Sequence, residues 1–270
     1  MGLPFIEPEL RENRGEIEAA MEGRLPRLIT LEDIKGDLHC HTKWSDGKHT
    51  VSEMAEAARS LGYSYIAITD HSRRLAMIKG LDDEKLLEQA REIKEVRARF
   101  PDIQILHGIE VDILEDGSLD LSDEALSRLD IVVAAIHSKF KLSKEKQTER
   151  LLRAIDNPRV NIIAHPTGRL IGERDGYDLD MERVMEHAKA RGCILELNAQ
   201  PSRLDLNDVH LKLAKEMGIK VSIATDSHNK DNLLFMRFGI NQARRGWLER
   251  QDVVNCLPVE GLKKLLKSQS

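Results

Sequence analysis

IVVAAIH, residues 131–137, is a short apolar run, rich in β-branched residues, that ends in a histidine. Such a run predicts a β-strand, because β-branched side chains pack well on a pleated surface. Similar runs recur along the chain, and the seven predicted strands are residues 34–41, 65–69, 103–113, 131–136, 161–164, 194–197 and 221–224.

Charged stretches with helical spacing lie between most of these strands. In residues 51–61, apolar side chains recur at Met54, Ala57, Ala58 and Leu61, which would line one face of a helix. The other predicted helices are residues 81–100, 144–155, 179–191 and 206–217. Strands that alternate with amphipathic helices favour βα units and a parallel sheet. Seven such units predict an α/β fold with a closed or nearly closed barrel, and an open doubly wound sheet is the alternative.

Length and composition indicate one large globular domain. The chain has 270 residues, of which 41% are apolar and 32% are charged, and this is enough to bury a core without disulfides. Residues 1–33 are rich in Glu, Arg and Pro and contain no strand-like run. We therefore interpret residues 1–33 as an extension or linker and residues 34–270 as the main domain.

Charge and cysteine content exclude several classes of protein. The net charge is −5, whereas a protein that holds DNA mainly by charge would be basic. Aromatic residues make up only 4%, which argues against broad base-stacking surfaces. The three cysteines form neither a disulfide framework nor a CxxC metal motif, and no signal peptide or transmembrane-length apolar run is present. The sequence thus predicts a cytoplasmic protein that does not associate with a membrane.

Histidine and acidic residues fall at, or just after, the ends of the predicted strands. His39 and His41 are two residues apart, so both side chains point to the same face of their strand. In a barrel of parallel strands, all strand ends of one kind open onto the same rim. The candidate metal ligands at this rim are His39, His41, Asp46, His71, Glu110, His137, His165, Asp226 and His228.

This ligand set limits the metal and the chemistry. Nitrogen and carboxylate oxygen without thiolate suit Mn²⁺ or Zn²⁺, with Fe²⁺ as a further fit, over Ca²⁺ or Mg²⁺. Nine ligands are too many for one ion and predict two or three, with Glu110 able to bridge two of them. Such clusters hydrolyse phosphate esters through a metal-activated hydroxide. Lys139, Arg169 and Arg203 follow strand ends and are candidate catalytic residues that hold the phosphate, although each also fits a solvated surface charge.

Other polar residues are assigned different roles. We interpret Asp37 and Asp70, which adjoin ligands, as partners that orient an imidazole. Asp112 shares the strand parity of Glu110 and fits either role. Three remaining histidines are not interpreted as ligands, because one has the opposite parity and two lie on helices, namely His107, His187 and His210. His49 lies in a loop and would be a ligand only if that loop folds inward, so Asp46 is preferred.

The motifs DLHCH (37–41), SDG (45–47), ITDH (68–71), GIE (108–110) and TDSH (225–228), with His137 and His165 between them, resemble the PHP (polymerase and histidinol phosphatase) superfamily. The resemblance implies a distorted, TIM-like (β/α)7 barrel with a trinuclear metal centre at the C-terminal ends of the strands. By motif, one metal would take His39, His41, Glu110 and Asp226. A second would take Glu110, His137 and His165, and a third would take Asp46, His71 and His228.

The resemblance extends towards both ends of the chain. GLPFIEPELRENRGEIEAA (2–20), HPTGRLIGERDGYDLD (165–180), ELNAQPSRLDL (196–206) and ARRGWLERQDVVNCL (243–257) look like the C-terminal PHP domain of bacterial and archaeal family X DNA polymerases and the junction before it. This implies a manganese-dependent 3′–5′ exonuclease in DNA repair, with phosphatase and abasic-site cleavage within the group. It also implies a polymerase domain as a partner, although this sequence has no polymerase acidic triad and no helix-hairpin-helix segment.

Three functions follow as hypotheses. The first is a metal-dependent phosphodiesterase that acts on DNA 3′ ends as a 3′–5′ exonuclease. The second is a phosphomonoesterase of the same fold, with histidinol phosphate or a nucleotide as substrate. The third is a structural domain that supports a polymerase, against which the complete set of ligands argues.

Overall fold

Seven parallel strands form one sheet in the computed structural model, which describes residues 2–74 and 79–267. Each strand pairs with the next along the chain, so the strand order is β1 to β7 without a crossover to a distant strand. The strands are β1 Gly36–Asp37, β2 Tyr65–Ile68, β3 Gln104–Asp112, β4 Ile131–Ala135, β5 Ile162–Ile163, β6 Ile194–Asn198 and β7 Val221–Ala224. All seven predicted strands are therefore confirmed.

The sheet curls into a nearly closed barrel, and its seam lies between the chain after β1 and the chain after β7. The backbone N–H of His41 donates to the Ser227 carbonyl at 2.8 Å, and Cys40 and Ser227 form a parallel bridge. Below this bridge, the Asp37 carboxylate accepts hydrogen bonds from the backbone N–H and the hydroxyl of Thr225. These contacts across the seam rule out the open doubly wound alternative.

Helices cover the outside of the barrel. They are α1 Glu16–Met21, α2 Val51–Ser60, α3 Asp83–Arg99, α4 Asp123–Leu126, α5 Lys144–Asp156, α6 Met181–Arg191, α7 Asp208–Met217, α8 Met236–Arg245 and α9 Val259–Lys267. The five predicted helices correspond to α2, α3, α5, α6 and α7. Three of them begin about two residues later than predicted, because Asp82, Asp180 and Asn207 are capping residues whose side chains accept a backbone N–H from the first turn.

The end of the barrel interior where the strands begin is apolar. Side chains from the inner faces of the strands pack here against the C-terminal helix α9. The cluster consists of Leu38, Tyr65, Ala67, Leu106, Ile131, Val133, Ala135, Ile162, Ala164, Ile194, Val254, Leu262 and Leu266. Helix α9 supplies Leu262 and Leu266, so this helix closes the bottom of the barrel.

Residues before β1 pack on the barrel rather than extending away from it. Leu10 and Ile29 are buried, and Glu9 accepts a hydrogen bond from Arg244 of α8 at 2.6 Å. Arg14 forms an ion pair with Asp208 at the start of α7 at 2.7 Å. Among the described residues, no helix has both the length and the apolar character needed to cross a membrane.

Candidate metal centre

The inner face of several strands changes from apolar to polar along its length. On β3, Leu106 faces the barrel interior near the bottom, and Glu110 follows four residues later on the same face. On β4, the inward residue Ala135 is followed by His137, and β7 is followed by Asp226. This shared register brings the predicted ligands together at the C-terminal ends of the strands.

Glu110 lies at the middle of the cluster and is almost completely buried. Its two oxygens approach imidazole nitrogens from four other segments of the chain. The shortest contacts are to His71 Nδ1 at 2.8 Å, His165 Nε2 at 3.0 Å, His137 Nε2 at 3.2 Å and His39 Nε2 at 3.3 Å. A carboxylate in this position can bridge ions, as its place in the sequence predicts.

Two further carboxylates, Asp226 and Asp46, lie close to imidazoles of the cluster. Asp226 Oδ1 lies 3.0 Å from His41 Nε2 and 3.7 Å from His39 Nε2. Asp46 Oδ2 lies 3.1 Å from His228 Nε2. All nine predicted ligands thus meet at one site.

Within the described residues, three groups have ligand atoms close enough to hold an ion. They are His41, Asp46, His71 and His228; His39, His41 and Asp226; and His71, Glu110 and His137. His41 and His71 each belong to two groups, whereas the family resemblance assigns each of them to one metal. His165 contacts Glu110 but stands outside the three groups.

Several buried atoms of this cluster lie near one another but make no hydrogen bond of regular geometry. They are His39 Nε2, His41 Nδ1 and Nε2, His71 Nδ1, Glu110 Oε2 and His165 Nδ1. Leaving a buried polar atom unpaired costs roughly 1–3 kcal/mol, so such atoms are rare and need an explanation. Nitrogen and carboxylate atoms that converge without regular hydrogen bonds are what divalent ions of the Mn²⁺ or Zn²⁺ type require. The residues present therefore fit a centre of several metal ions.

The electrostatics of the cluster keep its carboxylates ionised. Burial would raise the pKa of Glu110, but the charges of His71 and His39 outweigh burial and hold this pKa well below its usual range. Burial also opposes ionisation of Asp226, and the charge of His39 with the hydrogen bond of His41 holds its pKa well below the usual value. Both side chains therefore remain anionic and suited to bind cations.

The imidazoles divide into two kinds. Burial, with the nearby charges of His228 and His71, lowers the pKa of His41 to about 3, so this ring is neutral and offers a free lone pair. Burial also opposes protonation of His137, but the charge of Glu110 and the hydrogen bond to Asp112 raise its pKa to about 9. His41 is therefore neutral at pH 7, whereas the protonated form of His137 is favoured beside the carboxylates.

Two ligands have backbone conformations that side chains rarely adopt. The φ angle is +27° at His165 and +50° at Asp226, both in the left-handed region. Ala164 already faces the barrel interior, so regular strand geometry would turn His165 outwards. The left-handed turn at His165 instead brings its ring to Glu110. Strained conformations of this kind cost about 1–3 kcal/mol and concentrate at functional sites.

Of the residues that orient the imidazoles, Asp112 is among those that the sequence offers for this role, and Glu196 is not. Glu196 Oε1 lies 2.7 Å from His39 Nδ1, and Asp112 Oδ1 lies 3.2 Å from His137 Nδ1. Asp37 accepts hydrogen bonds from Thr225 across the barrel seam, and Asp70 accepts from Thr42, Ser45 and Gln89. The prediction that Asp37 and Asp70 orient an imidazole is therefore wrong.

Sequence reasoning missed Glu196, although a signal exists. The residue stands in the run ILELN, residues 194–198, two positions after the inward-facing Ile194. A carboxylate on the inner face of an otherwise apolar strand needs a partner inside the barrel.

The three predicted phosphate-binding residues occupy different surroundings. Arg203 is close to the cluster, with its Nε 3.8 Å from Asp226 Oδ2. Arg169 donates to the backbone carbonyls of Arg203 and Leu204, so its guanidinium braces the neighbouring loop. Lys139 is more than half exposed and pairs with Glu115 at 3.3 Å. Of the three, only Arg203 lies against a candidate ligand.

Comparison with known proteins gives a family and several relatives. The model of the PHP domain family matches residues 37–200. The chain is 47% identical over 266 residues to "DNA polymerase/3′-5′ exonuclease PolX" of Bacillus subtilis (strain 168), an alignment that covers 98% of this chain and 46% of that protein. The chain therefore spans less than half the length of this relative.

A shorter relative and a solved structure add to this picture. A "probable phosphatase" of Caldanaerobacter subterraneus subsp. tengcongensis is 32% identical over 221 residues, which cover 77% of this chain and 80% of that protein. The structure of histidinol phosphate phosphatase from Lactococcus lactis subsp. lactis, in complex with zinc, L-histidinol and phosphate, superposes with a TM-score of 0.58 at 20% identity. It covers 78% of this chain and 93% of its own, and it supports the same fold.

Proposed function

This chain belongs to the PHP domain family, a family of metal-dependent phosphoesterases, and we propose that it acts as a 3′–5′ exonuclease on DNA ends. The observation that carries the proposal is the alignment with the Bacillus protein, which is named for this activity and is 47% identical over 98% of this chain. The same relative is more than twice as long as the aligned part and is also named a DNA polymerase. We therefore propose a polymerase domain as the partner.

The ligand cluster determines how the chain would contribute to phosphodiester hydrolysis. Glu110, Asp226 and Asp46 would hold two or three divalent ions together with the six surrounding imidazoles. When bound, such ions lower the pKa of water from ~15.7 towards ~7 and offset the negative charge on phosphoryl oxygens. The protein keeps Glu110 and Asp226 ionised and positions them in advance at the end of the barrel.

Arg203 is the basic side chain best placed to hold the phosphate. Its guanidinium lies beside Asp226, and burial together with its positive charge lowers the pKa of the His165 ring. A planar guanidinium donates two parallel hydrogen bonds to a phosphate, which positions the scissile bond as well as neutralising charge. Arg169 would act indirectly, because it holds the backbone at Arg203. Lys139 would meet the substrate at the outer rim.

The proposal is tested with a 5′-labelled single-stranded oligonucleotide in the presence of Mn²⁺. We expect a ladder of products that shortens from the 3′ end. The same ladder should be absent for Asp226→Ala, which removes a ligand, and unchanged for His187→Ala, whose ring pairs with Asp156 on the outside of the barrel. An intact oligonucleotide, together with phosphate released from a small monoester, would contradict the exonuclease proposal.

Two basic variants extend the same assay. Arg203→Gln should lower kcat/KM by ~10–100-fold, since a hydrogen bond to a charged group contributes about 1.5–3 kcal/mol. Lys139→Gln should lower it less, because this side chain is exposed and its charge is partly offset by Glu115. Equal effects of the two variants would contradict the placement of Arg203 at the phosphate.

Phosphomonoester hydrolysis is the second candidate function. It is favoured by the 32% identity to the probable phosphatase of Caldanaerobacter, which this chain matches over 80% of its length. Histidinol phosphate and nucleoside monophosphates are the substrates to compare with the oligonucleotide. Release of inorganic phosphate from one of them by the wild-type chain, but not by Asp226→Ala, would support this function at the same centre.

A further inference from the structure

Strand β6, Ile194–Asn198, supplies none of the nine candidate ligands, yet two of its side chains contact three of them. We propose that Glu196 and Asn198 are positioning residues. Glu196 sets the tautomer of His39 and holds the backbone of His165, and Asn198 sets the placement of the Asp226 side chain. The inference rests on the metal centre of the proposed function but not on the identity of the substrate.

Glu196 holds two histidines from different strands with one carboxylate. Its Oε1 lies 2.7 Å from His39 Nδ1, and its Oε2 accepts the backbone N–H of His165 at 2.7 Å. The side chain is almost completely buried, and its partners are the cluster residues and Asn198. Because the carboxylate accepts at His39 Nδ1, this ring keeps a proton on Nδ1 and turns Nε2 towards the cluster, where Nε2 would bind a metal in place of a proton. That Nε2 is one of the atoms without a hydrogen bond of regular geometry.

Asn198 links Glu196 to the third candidate ligand, Asp226. Its Nδ2 donates to Glu196 Oε2 at 3.2 Å and to Asp226 Oδ2 at 3.0 Å. This leaves Asp226 Oδ1 for His41, which lies 3.0 Å away. One amide group therefore fixes which carboxylate oxygen of Asp226 faces the cluster.

His165 and Asp226, which these hydrogen bonds hold, both have left-handed backbone. Such conformations persist only where surrounding contacts determine them. The hydrogen bond from His165 N–H to Glu196 and the bond from Asn198 to Asp226 are contacts of this kind. Strand β6 thus restrains the two ligands whose own backbone would otherwise relax away from the site.

The number of acceptors distinguishes the effects of two Glu196 variants. The carboxylate serves the N–H of His39 through one oxygen and the N–H of His165 through the other. Glutamine keeps the size of the side chain but offers only one oxygen acceptor, so it can serve one of the two donors. Alanine serves neither, and we expect its effect on metal binding to exceed that of glutamine.

The experiment measures binding of Mn²⁺ and Co²⁺ to the whole chain by calorimetry and metal analysis, with the Co²⁺ absorption spectrum as a second readout. Relative to wild type, Glu196→Gln and Asn198→Ala should weaken at least one site by ~10–100-fold and change the Co²⁺ spectrum. Glu196→Ala should weaken binding further. Thermal unfolding of each metal-free variant gives its stability.

The matched control is Asn255→Ala. Asn255 is also buried and makes three hydrogen bonds to strand backbone, at Ile223 and Gly36, but it contacts no ligand. This variant should lose stability while binding Mn²⁺ and Co²⁺ like wild type.

Two results would overturn the inference. One is wild-type metal affinity and an unchanged Co²⁺ spectrum in Glu196→Gln and Asn198→Ala. The other is an equal loss of metal in Asn255→Ala, which would make the effect one of general stability. Failure of wild type to degrade DNA while it binds metal would instead refute the exonuclease proposal and leave the role of β6 standing.

Discussion

The two ends of the barrel interior are built from the same strands and carry opposite chemistry. At the bottom, apolar side chains pack against α9, and the one phenol there, that of Tyr65, donates to the Asn255 carbonyl at 2.9 Å. At the top, imidazole and carboxylate atoms converge, several of them without a hydrogen bond of regular geometry, and two candidate ligands have left-handed backbone. The difference teaches that apolar packing such as that at the bottom stabilises the fold, whereas the top holds polar atoms and strained backbone at a cost to stability.

The largest expected effect is that of Glu110→Gln at the top. Five imidazoles approach this carboxylate, and an amide cannot replace it as an anionic bridge. We expect phosphoester hydrolysis to fall roughly 1000-fold or more, because several kcal/mol of charge stabilisation by bound ions is lost. Metal content should fall as well, while circular dichroism of the metal-free protein stays like wild type. Full activity with normal metal content would show that the top does not depend on its central carboxylate.

A substitution at the bottom should have the reverse profile. Leu262→Ala removes a fully buried side chain of α9 and should lower the free energy of unfolding by about 2–5 kcal/mol. Metal stoichiometry of the folded protein should be unchanged, since Leu262 packs far down the strands from the ligands. Urea unfolding of the metal-free protein measures the first quantity, and Leu31→Ala on the surface is the control. Metal loss in folded Leu262→Ala would show that metal binding at the top depends on packing at the bottom.

The smallest effect concerns His107, which faces away from both ends of the interior. Its Nε2 lies 3.1 Å from Gln89 Oε1, and burial lowers its pKa to about 4. In the unfolded chain the pKa returns to about 6.5, so between these pH values the unfolded state binds more protons. The contribution of His107 to the free energy of unfolding is thus present at neutral pH. It is lost as pH falls, with a slope of at most ~1.4 kcal/mol per pH unit.

His107→Gln should reduce this loss, because glutamine can still donate to Gln89 and does not titrate. The measurement is the free energy of unfolding of wild type and variant at pH 7 and pH 4.5. An identical pH dependence in the two proteins would show that His107 is not held neutral by burial.

The strands and the convergence of the candidate ligands could be predicted because both follow from local patterns. A run such as residues 131–136 is strand-like whatever surrounds it, and parallel strands bring their C-terminal ends to one rim. The predicted strand 34–41 pairs regularly only over Gly36–Asp37, because the chain beyond it also bonds to the segment after β7 to close the seam. Seam closure depends on residues distant in sequence, which no local pattern reveals.

The supporting contacts of the site could not be predicted for the same reason. Asp37 and Asp70 adjoin ligands in sequence, but their side chains point to Thr225 and Thr42. Glu196 is distant in sequence from His39 yet within hydrogen-bond distance of it. Local sequence patterns thus predicted which candidate ligands would meet at one site, whereas the choice of orienting carboxylate depended on how the strands curl.

The seam between β1 and β7 also sets the order in which the site can be completed during synthesis. Asp37 and Thr225, which meet there, are 188 residues apart. At ~5–20 residues per second, roughly 10–40 s pass between the emergence of these two residues from the ribosome. During that interval His39 and His41 have no carboxylate from the last strand beside them. The full set of candidate metal ligands can therefore come together only after most of the barrel has been synthesised.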